Sequence, residues 1–139
     1  MEAIEHWLRG GEALAARGHV LRGSPLTAEK IAEHATRTAR AYSYQGQPCF
    51  GVSVEVASSA AVQVDLLRGR RLSTRRRVGR VAVEEVIGVG FVLLPTFAAP
   101  HYTLLIGRAP SATIEALVAL ATADIVENPY YQARKEVCR

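Results

Sequence analysis

The chain has 139 residues, 49% of them apolar and 22% charged, with a formal net charge of +4. That length points to one domain, 1–139, able to bury a core without metal or disulfide, and the composition excludes wholesale disorder. The two cysteines, Cys49 and Cys138, have neither CxxC nor zinc-ligand spacing, which fits free thiols in a reducing cytoplasm.

The N-terminal "MEAIEHWLRGGEALAARG" mixes acidic and basic residues and lacks the apolar run of a secretory leader. Residues 2–16 predict a helical segment, weakened by Gly10-Gly11. Gly18 to Gly23 predicts a first strand. Thr27 suits an N-cap, and Leu26 and Ile31 have the spacing of a hydrophobic staple. Ile31, Ala35, Thr38/Ala39 and Tyr42 follow at helical spacing, so a helix is expected over about 28–44, with Gly46 as its left-handed stop. "CFGVSVEVA" alternates, with Phe50, Val52, Val54 and Val56 on one face and Gly51, Ser53 and Glu55 on the other, the pattern of a half-buried strand.

"SSAAVQVDLLRG" predicts a short helix capped by Ser58 or Ser59 and ended by Gly69. "RLSTRRRV" reads as an arginine-rich strand or extended loop. "RVAVEEVIGVG" predicts a helix with Val83, Val86 and Ile87 on one face. Val86 to Gly107 holds 22 residues without a formal charge, long enough to span a membrane. Gly88, Gly90, Pro95, Pro100 and His101 interrupt it, so it is read as a helix end followed by the hairpin strands "FVLLPT" and "HYTLLIG". "PSATIEALVALATA" predicts a helix broken at Asn128-Pro129, and 130–139 a loosely held tail. The fold expected is α+β, with a mixed or antiparallel sheet of four to five strands and helices packed mainly on one face.

The charge is local. Arg68, Arg70, Arg71, Arg75, Arg76, Arg77 and Arg80 are seven arginines in 13 residues with no acid among them, whereas the rest of the chain carries a net −3. Alternation over 71–77 sets Arg71, Ser73, Arg75 and Arg77 on one side, a guanidinium set suited to phosphate oxygens. The same charges would also protect a solvated edge strand. No aromatic residue is interleaved, so base stacking is not indicated.

Two further groups carry chemistry. On "HYTLLIG", His101 and Thr103 share one face. This strand-borne His-x-Thr resembles half of the 2H phosphoesterase signature. In that family paired motifs supply an acid and a base across a phosphate, which implies a general acid/base role for His101 and a phosphate-orienting role for Thr103. The second His-x-Thr, His34 to Thr36, falls in a helix, where the two residues do not share a face. Arg22 in "HVLRGS", with Ser53 and Glu55, are the group types used by ADP-ribosyltransferases. That resemblance implies a dinucleotide phosphate on Arg22, a supporting Ser53, and Glu55 stabilising a ribosyl cation. In the family the serine and glutamate lie on different elements; here they are two residues apart.

"LRGSPLT", "CFGVSV" and "GFVLLPTFAAPHYTLLI" together resemble small toxin-like bacterial proteins, a likeness that implies no residue roles. The function expected is a cytoplasmic toxin-like enzyme acting on RNA or a nucleotide phosphate, with His101 and Thr103 catalytic and Arg22, Arg71, Arg75 and Arg77 binding phosphate. The alternatives are a non-enzymatic nucleic-acid-binding or toxin–antitoxin subunit, and an NAD-consuming transferase on Arg22, Ser53 and Glu55. No metal or cofactor is expected for the first reading. RNA, a nucleotide, an antitoxin-type protein or a second copy of the chain are the partners implied, with no membrane.

Overall fold

A computed structural model describes residues 2–4, 17–96, 100–107 and 110–132. The elements in chain order are β1 (Glu2–Ala3), β2 (His19–Gly23), α1 (Ala28–Ala41), β3 (Tyr42–Tyr44), β4 (Gln47–Pro48), β5 (Phe50–Ala57) and α2 (Ala60–Arg68). After these come β6 (Arg77–Ala82), α3 (Val83–Gly88), β7 (Val92–Pro95), β8 (His101–Gly107), α4 (Pro110–Ala123) and β9 (Ile125–Glu127). Apart from residues 2–4, the expected N-terminal helix lies outside the described residues, as does the tail beyond residue 132.

The main sheet has six strands in the order β7-β8-β5-β2-β6-β9, every neighbouring pair antiparallel. It is thus larger than the expected four to five strands. The added strand, β9, follows α4 directly and pairs Arg77 with Glu127 and Gly79 with Ile125. The helix therefore ends at Ala123, ahead of the expected break at Asn128-Pro129. A small sheet, β1-β3-β4, lies beside the main one.

The cores follow from strand alternation. Val20, Val52, Val54, Val56 and Val81 share one face and pack with Ile31 and Ala35 of α1 and Ile114 and Leu117 of α4. On the opposite face Leu21, Ala57 and Val78 pack with Leu67 of α2 and with Leu72. Among the described helices α1, α3 and α4 thus pack on the first face and α2 on the second, roughly the one-sided packing expected. Farther along that second face, Leu94 packs with Ile4 and Cys49. Between these two apolar clusters the face is polar. Ser53 is paired with Thr103, and Glu55 with His101, across β5 and β8.

Local signals explain most boundaries. The Thr27 side chain accepts from Lys30 N, the Ser59 side chain accepts from Val62 N, and Leu26 and Ile31 are buried. Three expectations fail. Tyr42 at the end of α1 is already extended, and Gln45 (φ 51°) with Gly46 (φ 76°) forms the tight turn between β3 and β4 instead of a helix stop. Ile87 is 49% exposed, because α3 buries only Val83 and Val86. Residues 69–76 form turns, with strand starting at Arg77, so the alternation over 71–77 does not apply.

Gly79 marks the close approach of α4 to the sheet. A Cβ there would sit 2.6 Å from the Ala121 carbonyl oxygen. Gly79→Ala is expected to destabilise the protein by about 1–3 kcal/mol, read as a lower urea midpoint at unchanged slope. An unchanged midpoint would mean that α4 does not press on β6 at this point.

Candidate anion-binding site

Strand β2 pairs with β6 over His19 to Gly23 but with β5 only over His19 to Leu21. Beyond Leu21 it parts from β5, and the gap opens into a cleft of about 550 Å³. Its walls come from the end of β2 with Ser24 and Pro25, from Lys30 and His34 on α1, from Ser53 and Glu55 on β5, and from Arg70, Arg71, Thr74 and Arg75 on the loop.

Arg22 is anchored in the gap. Its guanidinium donates to the Ser53 carbonyl (2.7 Å), which strand pairing has left free, and to Nδ1 of His34 (2.8 Å). Burial, with Arg75 nearby, lowers Arg22 to about 10, so it stays cationic at neutral pH. Its Nε is buried without a hydrogen-bond partner among the described residues, a cost of about 1–3 kcal/mol that an incoming acceptor would relieve. Because a guanidinium only donates, His34 Nδ1 must accept, which puts the imidazole proton on Nε2. Burial, then Arg22 and Arg37, push the His34 pKa down, so the ring is neutral.

Glu55 is 7% exposed. Burial raises its pKa, and Arg71 at 3.4 Å pulls it partly back. Arg75 is held by packing: its aliphatic stem lies against Gly23, where a Cβ would overlap Cγ. Of the arginines in the run, Arg68 stacks over Tyr130 (5.5 Å) and Arg76 over Tyr131 (5.1 Å). Arg77 pairs with Glu127 (3.2 Å) and Arg80 with Asp124 (2.9 Å). Exposed pairs of this kind contribute only about 0–1 kcal/mol, but they commit those side chains elsewhere. Arg70, Arg71 and Arg75 remain at the cleft.

Asn128 sets the course of that loop. Its buried side-chain amide donates to the carbonyls of Leu67 (3.0 Å) and Leu72 (2.9 Å), and its Oδ1 accepts from Tyr130 N. Its own backbone N–H donates to Arg76 O, and Gln132 N to Ser73 O.

The sequence-predicted residues divide accordingly. Arg22, Ser53, Glu55, Arg71 and Arg75 line one cleft, although they came from two rival groups. Arg77 is not among the lining residues. His101 and Thr103 are linked through Thr96, whose Oγ1 lies 3.0 Å from His101 Nδ1 and 2.9 Å from Thr103 Oγ1. His101 is 5% exposed, with its pKa lowered by burial, and stands behind Glu55 without lining the cleft. Lys30, His34 and Arg70 were missed. Lys30 and His34 lie one helical turn apart, and that i,i+4 spacing was the available signal. No group of three or more His, Cys, Asp or Glu able to hold a metal occurs among the described residues. Nor is any described helix long and apolar enough to cross a membrane.

Asn128→Ala is expected to cost about 1–3 kcal/mol and to speed amide exchange across 69–76, measured by denaturation and hydrogen exchange. His34 gives a pH signature. Its folded pKa lies below the ordinary 6.5, so as pH falls through about 6.5 the unfolded chain takes up a proton that the folded chain resists. Stability from this group is therefore lost on acidification below that value. The stability difference between wild type and His34→Gln should shrink or reverse there, and a pH-independent difference would refute it.

No protein-family model matches the chain, and no curated protein and no solved structure matches it significantly, so its function has to be read from the chemistry of the cleft.

Proposed function

We propose that the protein binds a phosphate-bearing ligand, a nucleotide or an RNA end, in the cleft between β2 and β5. The observation that carries this reading is the convergence of Arg22, Arg70, Arg71 and Arg75 with Lys30 on one opening, where Glu55 is the only acid among the described lining residues. Guanidinium forks match phosphate oxygens in pairs. Arg22 is already fixed by Ser53 and His34, so little side-chain entropy is lost on binding. The volume is in the range of small-ligand sites.

A toxin-like enzyme acting on RNA or a nucleotide phosphate belongs to this reading, with Glu55 and the Nε2 proton of His34 as the proton-transfer groups in the cleft. The role expected for His101 then passes through Glu55, its register partner on β5. Titration calorimetry with a nucleoside monophosphate and with inorganic phosphate tests the binding. Arg75→Ala should weaken it roughly ten-fold or more, while Arg77→Ala, whose side chain is paired with Glu127, should leave it unchanged. Absence of binding to either ligand by the wild type would overturn the proposal.

One observation favours the transferase reading as a second: Arg22, Ser53 and Glu55 line the same cleft despite lying on two strands. Under it, the wild type binds NAD and releases nicotinamide, and Glu55→Gln abolishes release while keeping binding. Failure to bind NAD at millimolar concentration would remove it.

A further inference from the structure

The loop 69–76 has a second side. Where Arg70, Arg71 and Arg75 face the cleft, Arg68 and Ser73 line another groove of about 480 Å³ together with Tyr130, Tyr131 and Gln132. The aromatic residues absent from the arginine run are supplied here from the far end of the chain. Arg68 lies over the Tyr130 ring, and Arg76 over that of Tyr131. Tyr130 is still 38% exposed, so ring surface stays open beside a guanidinium. The Asn128 hydrogen bonds to Leu67 and Leu72, and that of Gln132 to Ser73, fix this aromatic segment to the loop. The two grooves are therefore held in one relation to each other.

We propose that the ligand is a single-stranded nucleic acid, with a phosphate in the cleft and a neighbouring base stacked on Tyr130 in the second groove. This rests on the phosphate-binding reading and extends it. A cationic track beside an aromatic platform is the combination that holds an unpaired strand, because every base has a π-face whatever its sequence. A mononucleotide satisfies only the cleft, and a duplex keeps its bases in the stack. The arginine run thus serves both sites: its cleft side takes phosphate, and its outer side orients the rings.

The test compares a labelled, 5′-phosphorylated hexanucleotide, as RNA and as DNA, with a nucleoside monophosphate, a fully paired duplex, and an abasic hexamer of equal charge. The hexanucleotide should bind roughly ten-fold or more tightly than the monophosphate, and more tightly than the duplex or the abasic strand. Tyr130→Ala should lose most of that gain while keeping monophosphate affinity, which also reports that the variant is folded. Tyr130→Phe should retain the gain, since stacking uses the ring and not the hydroxyl. A preference for RNA or for DNA supports the proposal and names the strand. Equal binding of abasic and normal strands, or a gain untouched in Tyr130→Ala, overturns it. Monophosphate binding with no gain for the hexamer overturns this inference alone, whereas no binding of any probe overturns the phosphate reading beneath it.

Discussion

The guanidinium of Arg22 occupies the point where β2 leaves β5, and the site is organised around it. Once the strands part, the Ser53 carbonyl loses its ladder partner, and Arg22 NH1 takes that place. A side chain without a donor there would take away that main-chain acceptor's partner at the root of the cleft. The same group holds His34 in one tautomer, joining α1 to the floor of the sheet. One residue meets a backbone requirement and also carries the charge on which the proposed phosphate site rests. That is why the positive charge can sit so deep without an acidic counterpart.

Asn128 does for the loop what Arg22 does for the sheet. The arginine run has no regular structure over 69–76, so its backbone groups need partners from elsewhere. Residues from 128 onward supply several of them: the Asn128 amide donates to Leu72 O, its backbone N–H to Arg76 O, and Gln132 N to Ser73 O. The division of the arginines follows from this. Those that meet the C-terminal segment are taken up by Tyr130, Tyr131, Glu127 and Asp124, and those on the other side stay at the cleft. A uniform charge run in the sequence is thereby sorted into two surfaces.

Short-range signals made much of this legible. The Thr27 cap with its Leu26–Ile31 staple, the alternation over 50–57 and the Ser59 cap each depend on neighbours within a few residues, and each corresponds to an element of the fold. Gly46 turns a hairpin and does not stop α1, because a left-handed glycine does either equally well; the deciding fact, that Tyr42 is extended, comes from the pairing of β3 with β1 and β4. Strand β9 is three residues long, and its existence depends on β6, some fifty positions away. The candidate site was legible by residue type but not by grouping. Arg22, Ser53 and Glu55 belong with Arg71 and Arg75 only because β2 parts from β5 beside the loop. His101 pointed to the right face of β8, yet its depth behind Glu55 is a property of packing.

The cleft draws on β2, α1, β5 and the 69–76 loop, segments joined to one another only through the finished sheet. No part of it survives as a local unit when the sheet opens. Occupancy is therefore thermodynamically linked to global unfolding: a ligand at a hundred times its dissociation constant adds about 2.7 kcal/mol to the stability of the whole domain. The melting transition would in this sense be a sensor of the ligand proposed for the cleft, rising with any compound that fills the gap beside Arg22.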